Sequence, residues 1–406
     1  MKEYKIIFSL YLTILLFFIV FFLASVHNSP ANNSMAEWVI NYQGGFTRRG
    51  LLGEIIFQIS IFFDFQLRKT FLVMQILIYI AYFSSIYIFF KKIEYNYIFT
   101  FAIFSPLFFI FSLAELEALG RKDIFMFLVF IVNFLIYFKF KNINYNYIYF
   151  VLTYPIVFLT HEIYIIYLGY FLAFFIFLEK KINFKFFLKF FALIIFVLFF
   201  LDLIISNQYT RENLDILCES LKKKSNENCG LAPYSMDATI ADYQGEVGWK
   251  LSHVIRYILI FVFGFFGLIV LIFFSKINKS NTNKIVSKIN LKLIFLLLAL
   301  PSILPFITAV DSGRYSSMAY TFPCIFYFGL LKSNIIIFDH VSVNSIINNS
   351  FLKIKKYRVI LLILLCFTWT PKAVYHEDIS SFPLYRTIMK TPHFIGNFKN
   401  FNVNQL

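Results

Sequence analysis

The chain has 406 residues, 60% of them hydrophobic and only 15% charged, with 58 Phe and a formal net charge of +15. A soluble domain carries about 25% charged residues, whereas several apolar runs here exceed the roughly 18 residues needed to cross a hydrocarbon core about 30 Å thick. The composition excludes a soluble globular fold and predicts an all-α, polytopic integral membrane protein, with residues 1–406 forming a single transmembrane domain.

In chain order, eleven transmembrane spans are expected, at 6–26, 70–90, 97–113, 124–138, 147–160, 163–178, 186–206, 254–274, 293–310, 316–331 and 359–370. The first lacks a small-x-small cleavage site and reads as a retained helix rather than a signal peptide. The fifth and sixth meet at His161-Glu162 and can form one broken hairpin. With the N-terminus in the cytoplasm, the segments 1–5, 91–96, 139–146, 179–189, 275–292 and 332–358 are cytoplasmic; they carry 20 Lys+Arg and 4 Asp+Glu, and the rest of the chain carries 17 and 18. Cytoplasmic loops of membrane proteins are enriched in Lys and Arg, so the net charge reports topology, with some attraction to anionic lipid. Nothing in it indicates nucleic acid.

Four features then face outward: loop 27–69, the turn "LAELEALGRKDI", loop 207–253 and a periplasmic C-terminal tail 371–406. Cys218 and Cys229 both lie in the third and can form a disulfide in an oxidising compartment, while Cys324 and Cys366 fall in apolar spans and read as packing. Two free thiols are the alternative.

Ionisable residues at membrane depth are costly and usually line a cavity or a substrate path. Here they gather at the outer ends of the spans, including Glu37, and form four clusters. "GGFTRRGLLGE" places Gly44 and Gly45, which permit positive φ, before Arg48 and Arg49. An apolar helix follows over 51–63, polar at Glu54 and Gln58 one turn apart; it is too short to span and reads as interfacial. Paired arginines fit phosphate oxygens bidentately, and glycine-rich helix starts expose N–H groups to anions. The alternative is that Arg48 and Arg49 snorkel to headgroups. In "LAELEALGRKD", Glu115 with Lys122 and Glu117 with Arg121 can be local ion pairs of a solvated turn; alternatively Arg121 or Lys122 meets the same anionic substrate and Asp123 orients it. "LTHEIY" sets His161 beside Glu162, either of which can act as a general base, or His161 can serve helix packing. In "TAVDSGRYSS", Asp311 and Arg314 can pair on one helical turn, or Arg314 completes the anion site while Asp311 holds Arg49 or Arg121.

The chain has no Walker motif, GxSxG or Rossmann fingerprint. It has no HxxxH or paired Cys/His spacing either, so neither metal nor cofactor is expected. A reaction at the outer face must then draw on an activated substrate already in the membrane, such as a lipid-linked sugar phosphate or diphosphate.

With "GGFTRRGLLGE", "GRKD", "HE" and "DSGRY" on one face, the chain resembles bacterial O-antigen or capsule repeat-unit polymerases of the Wzy type and related membrane proteins of polysaccharide loci. The resemblance covers the layout of most of the chain but only about 25 residues by motif. It implies the multi-helix GT-C architecture in the inner membrane and an undecaprenyl-diphosphate-linked oligosaccharide as donor. It implies a periplasmic site without metal and partnership with other polysaccharide-assembly proteins. Arg48, Arg49, Arg121 and Arg314, with Lys122, take the diphosphate role, and His161, Glu162 or Glu54 activates the acceptor. One departure is that loop 207–253, arginine-rich in many such polymerases, here holds only Arg211 among five Lys and Arg. Two rivals remain: a transferase of the same architecture using a polyprenyl-phosphate sugar, and a flippase or transporter. The first often carries an acidic pair in its first outer loop, where this chain has only the separated Glu37 and Glu54; the second predicts charges through the bilayer depth or symmetric interrupted helices.

Overall fold

The structure, a computed structural model, describes residues 2–27, 33–91, 93, 96–207, 210–225, 229, 251–308, 311–350, 353–372 and 380–381. Loop 207–253 beyond Ser225, apart from Cys229 and the start of the next helix, lies outside the described residues, as does most of the tail 371–406.

The fold is all-α among these residues; its strands are two short antiparallel pairs, Ser275–Ile277 with Ile336–Phe338 and Thr370–Pro371 with Ser380–Ser381. Helical structure falls at all eleven expected positions. Four helices are long and apolar enough to cross a membrane: Lys5–Val26, Leu67–Phe90, Asp123–Phe140 and Phe184–Ser206. Ile143–Thr160, Ser312–Lys332 and Lys355–Phe367 are also continuous.

Four positions are interrupted, and proline explains two of them. The expected span 97–113 is corrected to two pieces, Tyr97–Ile103 and Phe111–Ala114, with Pro106 in the turns between. The residue before a proline is pushed out of the α region, and Ser105 there donates instead to Gly264 O at 2.7 Å. Gly264 ends the Leu251–Gly264 helix, and Phe266–Phe273 continues after one residue, so the two breaks face each other. The span 293–310 divides into Leu291–Ala299, a 3-10 turn at Leu300–Ser302 containing Pro301, and Ile303–Thr308. The span 163–178 opens as a 3-10 helix, Glu162–Tyr167, before Leu168–Leu178.

Ser312–Lys332 is the central helix, buried from Ser312 to Leu330 on every face. Its small residues Gly313, Ser316, Ser317 and Ala319 let neighbours approach closely: Ser317 Oγ donates to Leu107 O at 2.8 Å, and Phe322 stacks on Tyr167 at 4.4 Å between centroids. The abundant phenylalanines fill the space between helices, as in Phe130–Phe171 (4.8 Å) and Phe134–Phe174 (4.9 Å). Tyr147 on Phe175 (4.3 Å) and Phe150 on Phe171 (5.8 Å) run in opposite sequence order, which makes Ile143–Thr160 and Leu168–Leu178 an antiparallel hairpin broken at His161.

The lysine-rich segments converge on one end of the bundle. Lys189 Nζ reaches Asn144 Oδ1 (2.6 Å), Asn283 Nδ2 reaches Glu179 O (2.9 Å), Lys332 Nζ reaches Phe89 O (2.8 Å), and strands from 275–277 and 336–338 pair. The asparagines there have a local role. Asn96, Asn142, Asn183 and Asn290 each cap a helix by accepting a backbone N–H, as does Asp339.

Candidate functional site

The acidic and arginine-bearing segments meet at the other end, because Asp123 and Arg314 begin helices whose far ends carry Lys139 and Lys332. Two backbone devices build the platform. Gly120, at φ +75°, turns the segment 115–123 so that its carbonyl accepts Trp38 Nε1 (2.6 Å) and Gln75 Nε2 (3.1 Å) while its N–H donates to Tyr79 OH (3.2 Å). Gly53, in the Leu51–Phe62 helix, allows the backbone of 38–40 to lie against the helix: a Cβ there would stand 1.9 Å from Ile40 O.

On this platform the charges interlock across long sequence separations. Arg49 grips Glu162 bidentately, with Nη2 to Oε1 at 2.7 Å and Nε to Oε2 at 2.9 Å. Arg48 Nε stands 3.4 Å from the same Oε1 without a hydrogen bond. Arg314 makes a fork to Asp123, Nη2 to Oδ1 at 2.7 Å and Nε to Oδ2 at 2.5 Å, and its Nη1 reaches both Asp311 (3.0 Å) and Glu37 (3.2 Å). Arg121 donates to Glu37 Oε1 at 2.5 Å, to Glu117 O at 2.9 Å, and lies 3.9 Å from Asp311. Lys122, fully buried, donates to Arg49 O at 2.8 Å.

Asp311, at the start of the Ser312–Lys332 helix, pairs with Arg314 three residues on and also lies 3.9 Å from Arg121; among the described residues it makes no ion pair with Arg49. Asp123 orients Arg314 rather than Arg121 or Lys122. Arg121 takes the carboxylate of Glu37 and the backbone carbonyl of Glu117. Glu37 bridges Arg121 and Arg314, a role the sequence reading missed although the residue sat on the same face. Its Oε2 is buried without a hydrogen-bond partner among the described residues.

His161 is buried at the hairpin break, at φ −165° and ψ 118°, and its Nδ1 accepts Ile163 N–H at 3.3 Å. The same Nδ1 lies 3.4 Å from Glu162 Oε2, which would require a proton on it. The ring cannot do both. Burial, and after it the nearby Arg49, push the imidazole pKa down, which favours the neutral ring.

The structure does not bring Glu54 to this cluster. Its carboxylate accepts Tyr42 N–H (2.9 Å), Gln43 Nε2 (3.0 Å) and Gln58 Nε2 (2.6 Å), which fastens loop 41–46 to the Leu51–Phe62 helix. Gly44 and Gly45 serve the same loop: Gly45 sits at φ +114°, and Gly44 O accepts Asn213 Nδ2 at 2.6 Å. Asn213 belongs to an amphipathic helix, Arg211–Ser225, inside the segment taken as loop 207–253. A Cys218–Cys229 disulfide, with Cα atoms 5.2 Å apart, closes that helix onto the following chain. Cys324 and Cys366 are buried and free.

Burial works against the Glu37 carboxylate, but Arg121 and Arg314 outweigh it and hold it well below the usual carboxylate range. Burial pushes the Lys122 ammonium down to about 7, with Glu37 opposing and Arg49 adding to it. The cluster is therefore a nearly balanced lattice, in which Glu37, Asp123, Asp311 and Glu162 offset Arg49, Arg121 and Arg314. Arg48 brings the fourth positive charge and is the most exposed of these arginines, its side chain 36% exposed against 20% for Arg49. The cavity beside the buried ion pairs, lined by Arg121, Asp123, Arg314 and Tyr79, holds only about 40 Å³. No group of three or more His, Cys, Asp or Glu that could hold a metal occurs among the described residues.

No protein-family model, curated protein or solved structure matches the chain.

Proposed function

We propose that this protein is a surface-polysaccharide polymerase of the bacterial inner membrane, transferring lipid-diphosphate-linked oligosaccharide repeats at the periplasmic face. In this reading the N-terminus is cytoplasmic, the chain makes eleven spans in a GT-C-like arrangement, and Leu51–Phe62 lies at the outer interface. The observation that carries the proposal is the convergence of Arg48, Arg49, Arg121, Lys122 and Arg314, from three distant segments, around carboxylates at one end of the bundle. The Cys218–Cys229 disulfide supports placing that end outside the cytoplasm.

The chemistry follows from the pairs. An acceptor sugar hydroxyl attacks C1 of the donor's reducing-end sugar, the C1–O bond to the lipid diphosphate breaks, and the diphosphate leaves with the electron pair. Arg48 is the exposed donor for that diphosphate, and Arg49 beside it shares its guanidinium between substrate and Glu162. A second anion on Arg49 weakens its hold on Glu162, which frees that carboxylate to take the acceptor proton. Preorganised guanidinium groups facing the developing charge on the leaving group supply the electrostatic stabilisation. Arg314, Asp123, Glu37, Asp311 and Arg121 form the scaffold, and His161 Nδ1 stands 3.4 Å from Glu162 Oε2.

The test is a gel profile of surface polysaccharide from a deletion strain complemented with wild type, Arg49→Ala or Glu162→Gln at matched protein abundance. The expected result is single repeat units on the lipid in the deletion and in both variants, with the ladder restored by wild type. A full-length ladder of altered composition would instead identify a single-sugar transferase using a polyprenyl-phosphate donor. Loss of all surface polysaccharide with lipid-linked units accumulating inside would identify a transporter.

A further inference from the structure

We infer that a cavity at the lysine-rich end of the bundle, opposite the ion-pair cluster, binds the phosphate headgroup of an anionic phospholipid. The cavity holds about 320 Å³, at the lower end of the range for ligand sites. It lies where Asp123–Phe140 ends, Ile143–Thr160 begins, Leu168–Leu178 ends and Phe184–Ser206 begins. Lys141, Lys180, Lys181, Lys185 and Lys189 line it, against a single carboxylate, Glu179.

Three observations separate this cavity from an ordinary positively charged loop. Two of the ammonium groups are held in place: Lys189 by Asn144 Oδ1 at 2.6 Å and by the Tyr147 ring at 5.2 Å, Lys141 over the Tyr137 and Phe138 rings at 5.5 Å. Lys141 sits in the left-handed region, φ 54°, at a helix end where Gly or Asn is the usual residue, so its backbone is strained to place a lysine there. Finally, the rim continues into an uncovered apolar helix face: Phe184, Phe187, Leu188 and Phe191 are all exposed on Phe184–Ser206, which Asn183 caps beside the cavity. A charged pocket that opens onto a lipid-facing helix fits a ligand with a phosphate and acyl chains. Soluble phosphate makes no use of that face. Basic pockets between membrane helices are known to take such headgroups.

The remaining lysines of this end provide a control, since Lys276, Lys279 and Lys284 do not line the cavity. Full-length protein in detergent is titrated with short-chain phosphatidylglycerol, with phosphatidylcholine and with inorganic phosphate. Saturable phosphatidylglycerol binding is expected, weakened about tenfold or more in Lys141→Gln/Lys185→Gln/Lys189→Gln. It is retained in the corresponding Lys→Arg triple variant and in Lys276→Gln/Lys279→Gln/Lys284→Gln. A second variant, Lys181→Gln/Lys185→Gln, removes two exposed cavity charges and keeps the question open to refutation if the triple variant does not fold. Wild-type affinity in the cavity variants, or an equal loss in the control variant, overturns the proposal. Displacement of the lipid by inorganic phosphate at equal concentration assigns the cavity to a soluble anion and also overturns it.

Discussion

Lys122 is the residue on which the site's electrostatics are most exposed to measurement. It is fully buried, its ammonium donates to Arg49 O at 2.8 Å, and that ammonium is pushed down to about 7. An unfolded chain holds that proton up to about 10.4. Between those values the unfolded state binds more protons than the folded one, so this group makes the fold more stable as pH rises. Below about pH 7 both states are charged and the burial cost stands in full. Lys122→Met removes the group without leaving a charge. The gap in melting midpoint between wild type and variant should therefore shift in favour of wild type from pH 7 to pH 10, and stay level from pH 5 to pH 7. A gap that is flat across the whole range would mean that Lys122 is solvated and not part of a dry site. At this scale the sequence was only partly legible. Residue types and the shared end of the bundle were readable, because charge in an apolar chain is conspicuous. Partners were not: Asp123 and Arg314 lie 191 positions apart, and nothing local tells Asp123 to choose Arg314 over its neighbour Lys122. Glu54 misled for the converse reason. A carboxylate beside two arginines in sequence is turned by its helix toward Tyr42 and Gln43 instead.

At the scale of elements, the Arg211–Ser225 helix deserved to be read and was not. Leu214, Leu217 and Leu221 recur at helical spacing and are buried, while most of the rest of the run is polar or charged. The search for apolar spans hid it, since a polar helix looks like loop beside a chain so rich in Phe and Ile. It also touches the site loop twice, through Asn213 on Gly44 O and Lys224 Nζ on Gln43 Oε1 at 2.9 Å. The Cys218–Cys229 bond closes a ring spanning 11 positions, which stabilises by roughly 2–3 kcal/mol in the loop-entropy account. Reduction, or Cys218→Ser/Cys229→Ser, should raise backbone hydrogen exchange across 211–225 and 41–46 together, and leave Asp123–Phe140 unchanged. An increase confined to 211–225 would show that the helix does not support the loop. The interrupted helices were readable in part, since Pro106 and Pro301 mark their own breaks. The break at Phe265 is flanked by Gly264 and Gly267, and Gly264 O there accepts from Ser105 Oγ.

At the scale of the whole molecule, charge asymmetry along the bundle axis is the property that organises everything else. The lysine count per segment predicted which ends belong together, and those ends do meet: Asn144 with Lys189, Glu179 with Asn283, Ser275–Ile277 with Ile336–Phe338. This agreement has a physical basis, because the rule that sorts loops acts on short segments one at a time and so leaves its record in local composition. Long-range pairing leaves no such record. The asymmetry also separates two anion-binding candidates, guanidinium groups at one end and ammonium groups at the other, with the central Ser312–Lys332 helix running between them from Arg314 to Lys332. If the two ends face opposite sides of a bilayer, a single cysteine introduced at exposed Asp64 and one at exposed Lys279 should react with a membrane-impermeant maleimide from opposite sides. Native cysteines do not interfere, since Cys218 and Cys229 are bonded and Cys324 and Cys366 are buried. In intact spheroplasts, Asp64→Cys should label directly and Lys279→Cys only after the membrane is opened. The reverse pattern would put the arginine cluster in the cytoplasm, where a lipid-diphosphate donor awaiting periplasmic polymerisation is not presented, and would end the polymerase reading while leaving the fold intact. Labelling of both from one side would break the alternation of spans on which the site's position rests.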